Sequence, residues 1–292
     1  MNTSITSRQV RANGVDLQVL EAGSGQLALC LHGFPDTSHT WRYLLPALAD
    51  AGFHAVAPTL RGYAPRSLPK DDCFTVGALI ADANALHELL GGDERAVIIG
   101  HDWGSLAAFG AAAAAPEKWS RLVTMAVPPP ALDEAMWRDF KQLQRSFYMF
   151  MFLMPGIEDI VAADDLAFLG GLWDLWSPGY DASLDMEHVR EALSKRENLV
   201  SALALYQSTL GARTVGLDKY VTESEALAGT PPQPTLYLHG QNDGCISSQW
   251  VEAALEHLSP GSHALRIADA GHFLHLEKPA EVTQLIRQWV TT

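Results

Sequence analysis

Cysteine is scarce in this chain of 292 residues, which contains only Cys30, Cys73 and Cys245. The three lie far apart, and their spacing matches neither a disulfide framework nor a zinc-binding motif. The first residues contain no apolar segment of the kind that directs secretion. We therefore expect a cytoplasmic protein, in a reducing compartment, that binds no metal.

Basic residues and long hydrophobic runs are also scarce. Lys and Arg number 20 against 34 Asp and Glu, a formal net charge of −14, which disfavours nucleic acids and anionic membrane surfaces as partners. No apolar run reaches the roughly 18 residues that a membrane-spanning helix needs. Hydrophobic residues still make up 48% of the chain, which suits one large globular domain or a domain with an insertion.

Apolar runs typical of buried strands alternate along the chain with segments of helical periodicity. A hairpin is predicted around Asn13-Gly14, because this pair favours the tight turn between two antiparallel strands. The alternation is typical of a mostly parallel sheet with helices on both faces. Eight strands are predicted: the hairpin pair and those in QLALCLHG, HAVAPTLRG, AVIIG, LVTMAVPPP, PTLYLHG and ALRIA.

The alternation stops between about residues 131 and 220, where no strand pattern occurs. This region follows three prolines and is rich in Met and aromatic residues. It is predicted to be an inserted helical cap, with residues 1–130 and 221–292 forming the core domain. A cap of this composition either simply packs on the core or encloses an apolar ligand.

The segment VIIGHDWGSLAAFG (97–110) combines a strand, a turn flanked by glycines and a helix. Such a turn presents its central residue, here Asp102, at the edge of the sheet, where the hydrolase motif G-x-S-x-G carries a serine. An aspartate there is either a helix cap or a nucleophile. A carboxylate needs no base to attack an sp3 carbon, and the attack leaves an alkyl ester on the enzyme.

Hydrolysis of that ester requires a base that activates water. His272, in ADAGHFLHLEKP, follows one predicted strand, and Asp243, in LHGQNDGCIS, follows another and can orient the imidazole. The order Asp102, Asp243, His272 is the nucleophile, acid, histidine order of the α/β-hydrolase arrangement. The rivals for the histidine and the acid are His275, Asp36 and Asp269.

The ester carbonyl becomes negative during hydrolysis and requires two preorganised N–H donors. The amide of Trp103, directly after the aspartate, is one candidate, and the amide of Phe34 in HGFPD is the other. Pro35 stiffens this loop, and the Phe34–Pro35 bond is a candidate for the cis form. The sequence thus predicts an oxyanion hole made of two backbone amides.

Together these motifs resemble the α/β-hydrolase-fold epoxide hydrolases along nearly the whole chain. The matching segments are HGFPD, RGYAPRS, GHDWGS, GQNDG and GHFLHLEKP. The resemblance implies an α/β-hydrolase fold, with a mostly parallel eight-stranded sheet, flanking helices and an inserted cap. It also implies two cap tyrosines that hydrogen-bond the epoxide oxygen. Tyr148, shortly before a Pro-Gly pair, matches the first and Tyr206 the second, with Tyr180 and Tyr220 as alternatives to Tyr206.

The activity implied by the resemblance is the conversion of a small apolar epoxide and water into a vicinal diol, without a cofactor. Phe34, Trp103, Met151 and Phe152 are expected to line the substrate pocket, in a monomer or a homodimer. The chain departs from the family at 149–154, where apolar residues stand in place of polar ones. This departure implies a more apolar pocket.

Three other hypotheses share this nucleophile or this fold. Haloalkane dehalogenases hold a halide with N–H donors, for which Trp103 and either Trp173 or Trp176 are candidates. Phe34 has no side-chain donor where such enzymes often have asparagine, and paired tyrosines favour an oxygen leaving group. Fluoroacetate-type dehalogenases fit less well, because they usually have arginine directly after the nucleophile. The third hypothesis is a capped, non-catalytic receptor for an apolar ligand.

Overall fold

The computed structural model describes residues 4–292, and the first three residues of the predicted core segment lie outside the described residues. The predicted hairpin is confirmed as β1 (Thr6–Ala12) and β2 (Val15–Gly23), which pair antiparallel. Asn13 and Gly14 have positive φ angles of 45° and 77°, as the tight turn requires.

The remaining strands are β3 (Gln26–Leu31), β4 (Phe53–Pro58), β5 (Val97–His101), β6 (Arg121–Met125), β7 (Thr235–Gly240) and β8 (His263–Ile267). Within residues 4–292, all eight strands form one sheet in the order β1-β2-β4-β3-β5-β6-β7-β8. β2 pairs antiparallel with β1 and β4, and every other pair is parallel. The predicted mostly parallel, eight-stranded sheet is confirmed.

The helices of the described residues are named in chain order. Before the predicted cap lie α1 (Leu44–Asp50), α2 (Val76–Leu89) and α3 (Trp103–Ala114). Within it lie α4 (Asp133–Arg138), α5 (Phe140–Arg145), α6 (Phe147–Met151), α7 (Ile157–Trp176), α8 (Ser183–Leu193) and α9 (Arg196–Thr209). After it lie α10 (Val221–Ala226), α11 (Val251–Glu256), α12 (Leu274–Glu277) and α13 (Pro279–Thr291).

Helices cover both faces of the sheet because successive strand residues point to opposite faces. In β3, Leu27 and Leu29 pack into the core beneath α2 and α3. Ala28 and Cys30 face the other way, into the core beneath α1 and α13. A strand buried on both faces has no polar alternation, which is why the central strands read as continuous apolar runs.

The segment SHTWRYLLPALADAG (38–52), one of those with helical periodicity in the sequence, does not form a single continuous helix. Thr37 caps a short 3-10 turn over Ser38–Trp41, and α1 begins only at Leu44. Pro46 lies in the first turn of α1, where a missing backbone N–H costs no intrahelical hydrogen bond. The proline therefore fits a helix that begins just before it and disfavours one that runs through it.

The region between β6 and β7 is helical, and residues 131–220 contain no strand, as predicted. The axis of α7 is interrupted where residues 163–166 leave helical geometry. Several hydrogen bonds and ion pairs join this region to the sheet side of the molecule, and two of them involve Trp173 and Arg42. Trp173 Nε1 donates to the carbonyl of Pro35 at 2.9 Å, and Arg42 Nη1 pairs with Asp185 Oδ1 at 2.6 Å. The division into a core (1–130 and 221–292) and a cap (131–220) stays a prediction.

Among residues 4–292, none of the helices combines the length and the apolar character that crossing a membrane would require.

A buried ion pair ties the segment RGYAPRS to α2. Arg61 donates to both carboxylate oxygens of Asp82, at 2.7 and 2.5 Å, and to the carbonyl of Cys73 at 2.8 Å. Only 2% of the Arg61 side chain and 8% of the Asp82 side chain are exposed. Because a guanidinium does not lose its proton in a protein, removal of Asp82 would leave a buried, unpaired charge.

We predict that Asp82→Ala lowers the free energy of unfolding by about 3–5 kcal/mol. The matched control is Asp16→Ala, which removes a carboxylate from the exposed pair between Arg11 and Asp16 and should cost less than about 1 kcal/mol. Urea unfolding of both variants measures the difference. Equal shifts in the two variants would contradict the structural role of the buried pair.

Candidate active site

In the turn after β5, Asp102 has an unusual backbone conformation, which the nearby glycines make possible. Asp102 has φ 53° and ψ −121° and directly precedes α3. A Cβ atom on Gly100 would lie 2.2 Å from the carbonyl oxygen of Gly104, and one on Gly104 would lie 2.0 Å from the carbonyl oxygen of Leu31. Glycine is therefore required at both positions for the strand, the turn and the helix to approach this closely.

The loop after β3 reaches the same carboxylate. The Phe34 amide donates to Asp102 Oδ1 at 2.8 Å, and the Phe34–Pro35 bond is cis. A Cβ on Gly33 would lie 2.3 Å from Asp102 Oδ1, so this loop can touch the carboxylate only with glycine there. The amide of Trp103 opens α3, where helical N–H groups have no intrahelical acceptor.

His272 and Asp243 form a buried pair beside Asp102. His272 Nδ1 donates to Asp243 Oδ2 at 2.9 Å. The opposite nitrogen, Nε2, lies 3.7 Å from Asp102 Oδ2 and has no hydrogen-bond partner among residues 4–292. Asp243 Oδ1 accepts the amides of Cys245 and Ile246 at 2.7 and 3.0 Å. The carboxylate is thus held by its own loop in the position that orients the imidazole.

The two carboxylates control the protonation of this imidazole. Burial alone would lower the pKa of His272, but Asp243 and Asp102 on its two sides together raise it above the usual range. Burial alone would raise the pKa of Asp243, yet the charge of His272 and hydrogen bonds from His239 and His272 bring it below the usual range. The site therefore favours a carboxylate, imidazolium, carboxylate arrangement before any reaction.

The rivals weighed from the sequence lie elsewhere. His275 Nε2 is hydrogen-bonded to Thr40 Oγ1 at 2.5 Å. Asp36 Oδ1 accepts the amide of Thr37 at 2.7 Å, and Asp269 is exposed. None of these three makes a described contact with Asp102, whereas His272 does.

Tyr148 on α6 and Tyr206 on α9 come together above the turn, with their ring centroids 5.7 Å apart. The Tyr148 hydroxyl lies 3.4 Å from Cys245 Sγ, and the Tyr206 hydroxyl has no hydrogen-bond partner among residues 4–292. Burial raises the pKa of both phenols well above the usual value. Both side chains are therefore neutral O–H donors at physiological pH.

The alternative tyrosines are engaged away from this cluster. The Tyr180 hydroxyl donates to Asp185 Oδ2 at 2.7 Å, and the Tyr220 hydroxyl donates to Asn13 Oδ1 at 3.3 Å. Tyr206, by contrast, packs against Trp103 with a centroid distance of 4.8 Å. The structure therefore brings Tyr206, and neither alternative, to Tyr148.

A cavity of about 120 Å³ extends from Asp102 and the two tyrosines towards the surface. Trp103 lines it, as predicted from the sequence, but Phe34, Met151 and Phe152 are not among its lining residues. Phe152 lies one helical turn beyond Tyr148 and packs on the rings of Phe34 and Tyr206, at 5.5 and 5.1 Å. Phe152 therefore supports the tyrosine rings without lining the cavity. Phe34, Met151 and Phe152 were expected to line the pocket, and the structure does not place them in its lining.

The other lining residues come mostly from the cap and were not singled out in the sequence. They are Leu106, Val127, Asp133, Met136, Trp137, Gln142, Ser146, Met149, Thr209 and Ile246. The Met and aromatic content of the cap pointed to such a surface, but periodicity alone does not tell which side chains of a short helix face a cavity.

Two groups of buried side chains bring metal-binding atoms within 4.8 Å of one another in the described part of the chain. In the first group, Asp243 and His272 are already hydrogen-bonded to each other, next to Cys245. The second group consists of Asp36, His101 and His275. His101 Nε2 donates to the carbonyl of His272 at 2.9 Å, so this second group lies directly behind the loop that carries His272.

Comparison with known proteins agrees with this architecture. The α/β hydrolase fold family matches residues 28–279. Epoxide hydrolase A of Mycobacterium tuberculosis is 30% identical, over 98% of this chain and 97% of that protein. An epoxide hydrolase of Caballeronia sordidicola is 29% identical, over 97% of this chain and 93% of that protein.

Solved structures give the same result. The structure of an epoxide hydrolase from an endophytic Streptomyces superposes with a TM-score of 0.79 and 26% identity, over 98% of this chain and 95% of that one. The fold expected from the sequence is confirmed by this similarity together with the observed sheet. The chain belongs to the α/β-hydrolase-fold epoxide hydrolase family.

Proposed function

We propose that this protein is an epoxide hydrolase that forms a covalent ester on Asp102 and releases a vicinal diol. One observation carries the proposal. The Asp102 carboxylate accepts the Phe34 amide at 2.8 Å, faces His272 Nε2 at 3.7 Å, and lies under the neutral hydroxyl donors of Tyr148 and Tyr206. The relatives named epoxide hydrolases support the same reaction class.

In the first step, a carboxylate oxygen of Asp102 attacks a ring carbon and the carbon–oxygen bond of the epoxide breaks. Oδ1 already accepts the Phe34 amide, so we assign the attack to Oδ2 and the later oxyanion to Oδ1. Tyr148 and Tyr206 hydrogen-bond the leaving oxygen, and one of them gives it a proton. Neutral phenols suit this role, because an alkoxide leaves poorly without a donor where its charge develops.

In the second step, water attacks the carboxyl carbon of the ester. Alkylation removes the negative charge of Asp102, and with it one of the two carboxylates that raise the pKa of His272. The imidazolium then gives its proton to the tyrosinate left by the first step. The neutral imidazole, oriented by Asp243, takes a proton from the attacking water. The amides of Phe34 and Trp103 stabilise the oxyanion of the tetrahedral intermediate. When the bond between the carboxyl carbon and the alkoxide oxygen breaks, the hydroxyl proton of the intermediate passes to the alkoxide. The diol leaves, with Asp102 again a carboxylate and His272 again an imidazolium.

The remaining parts of the proposal are the expectations drawn from the sequence. We propose that residues 131–220 form the cap over the site, that the substrate is a small apolar epoxide, and that the reaction needs no cofactor. The three cysteines are unpaired and buried, which is consistent with action in the cytoplasm, as a monomer or a homodimer.

Haloalkane dehalogenation is the second candidate. The indole N–H groups of Trp103 and Trp176 are buried and have no hydrogen-bond acceptor among residues 4–292. Trp103 also lines the cavity, so its N–H is the candidate donor to an anion there. Trp173 is not available, because its indole N–H donates to Pro35. The paired tyrosines favour an oxygen leaving group over a halide, and a non-catalytic receptor would have no use for the Asp102, His272, Asp243 arrangement.

A paired assay tests the choice between these reactions. With a neutral aryl epoxide and a bromoalkane of similar size, we expect diol release to exceed bromide release by roughly a hundredfold or more in kcat/KM. Gas chromatography of the diol and ion chromatography of bromide measure the two rates. Faster bromide release would assign the protein to the dehalogenases, and absence of both products would favour the receptor.

The covalent intermediate gives a second prediction. His272→Gln should slow ester hydrolysis by at least roughly a thousandfold and leave the enzyme alkylated. Mass spectrometry after substrate exposure should show the mass of one epoxide added to the peptide that contains Asp102. The double variant Asp102→Asn/His272→Gln is the control and should gain no mass. An unmodified peptide in the single variant would exclude the two-step reaction.

The tyrosine pair gives a third prediction. Tyr148→Phe combined with Tyr206→Phe should slow ring opening by on the order of a thousandfold, because both donors to the leaving oxygen are lost. Single-turnover kinetics measure the step directly. Tyr220→Phe removes a phenol that contacts Asn13 instead and should leave the rate within about twofold. An unchanged rate in the double variant would refute the assignment.

A further inference from the structure

The cavity has a buried end and an open end of different chemistry. Asp102, Trp103, Tyr148 and Tyr206 are buried and form the end where the proposed reaction occurs. The lining residues classed as exposed are Asp133, Trp137 and Thr209. These three form the mouth, so whatever part of a substrate lies away from the epoxide meets them.

The mouth carries one uncompensated negative charge. Apart from Asp102, Asp133 is the only charged residue among the described residues that line the cavity. Its side chain has no hydrogen-bond or ion-pair partner among residues 4–292, whereas the neighbouring Glu134 pairs with Arg138 at 2.5 Å. Part of Asp133 stays open to solvent, and burial of the rest raises its pKa to about 6. Asp133 is therefore a carboxylate at pH 8.

An aromatic ring lies beside this carboxylate. Trp137 follows Asp133 by four residues on α4, so the two side chains share one face of the helix. Both line the cavity, and Trp137 keeps 38% of its surface exposed. A carboxylate next to an indole face is a suitable surface for an ammonium group, which gains both the opposite charge and a cation–π contact. The same surface repels an anion.

We propose that Asp133 and Trp137 form a cation-selective mouth, and that the preferred substrates are epoxides with an ammonium group distal to the ring. The inference rests on the proposed function, since it places the epoxide at the buried end of the cavity. It changes the small apolar epoxide of the proposed function to one that is apolar near the ring and cationic at its distal end. Carboxylated or sulfonated epoxides are then disfavoured, and neutral ones are intermediate. Asp133 and Trp137 act here as specificity-determining residues that have no part in the bond-forming steps.

Three phenyl glycidyl ethers test the proposal, one unsubstituted, one with a para-trimethylammonium group and one with a para-sulfonate. Their charges are permanent, so all three can be compared at pH 8 and constant salt. We expect kcat/KM for the cationic ether to exceed that for the anionic ether by at least about tenfold. The epoxide reacts in the same way in all three, so the ratio reports the effect of the charge at the distal end of the substrate.

Variants distinguish the effect of the mouth on substrate selectivity from the effect of the overall negative charge of the protein. Asp133→Asn should reduce the cation-to-anion ratio by about tenfold, and Trp137→Leu should reduce it by a smaller factor. Glu134→Gln removes the same charge from the adjacent residue outside the cavity lining, and should leave the ratio within about twofold. A wild-type ratio near one, or an equal loss in the Glu134 variant, would overturn the proposal.

Binding of benzyltrimethylammonium separates failure of this proposal from failure of the proposed function. Titration calorimetry should show binding to the wild type that is weakened at least about fivefold by Asp133→Asn. Binding with this pattern, but no turnover of any ether, would refute epoxide hydrolysis and keep the cation site. Turnover of the neutral ether, with no binding and no charge preference, would keep the enzyme and refute the cation site.

Discussion

The carboxylate of Asp102 is held from two directions, and the rest of the site is arranged around that constraint. The Phe34 amide contacts one oxygen at 2.8 Å, and His272 faces the other at 3.7 Å. These groups come from loops that follow β3, β5 and β8, whose carboxyl ends meet at one edge of the parallel sheet. The three loops can meet because Asp102 adopts a positive φ angle and because Gly100 and Gly104 carry no Cβ, for which there is no space.

Charge balance is the second consequence of this geometry. Two carboxylates flank one buried imidazole, and their combined field overcomes the cost of burying the imidazolium. In the proposed reaction, alkylation removes one of the two charges at the moment when a neutral base becomes necessary. His272 would then be an imidazolium beside the free Asp102 carboxylate and a base beside the ester. No change of conformation is needed, since only the charge on Asp102 changes.

Residues 131–220 supply what the sheet edge lacks, which is hydroxyl donors and most of the cavity wall. Tyr148 and Tyr206 come from separate helices and are fixed by edge-to-face packing with each other and with Phe152. Neutral phenols at the buried end and a carboxylate beside an indole at the open end give the cavity two different chemistries. In the proposals above, the buried end determines the reaction and the open end determines which epoxides reach it.

Much of the site could be predicted because its residues follow strands. Asp102, Asp243, His272 and the Phe34 loop each come directly after an apolar run, and a parallel sheet gathers the carboxyl ends of its strands at one edge. Tyr206 was harder to place, since several cap tyrosines fitted a loose motif and only helix packing separates it from Tyr180 and Tyr220. Met151 and Phe152 were misplaced because a short helix can present any of its sides to a cavity.

The sequence by itself determined the glycine-flanked turn at Asp102, the order of Asp102, Asp243 and His272 along the chain and the eight-stranded sheet, because these depend on local spacing, on glycine and on strand periodicity. Only the tertiary structure decided which side chains of residues 131–220 meet Asp102 and which lie at the mouth of the cavity. Asp133 shows the difference most clearly: in the sequence it is one of 34 acidic residues, and in the fold it lies on a cavity wall with no partner among residues 4–292. Trp137 is four residues away on the same helix, but Tyr206 and Thr209 on the same cavity wall come from a helix that is distant in the sequence. No local pattern records that proximity.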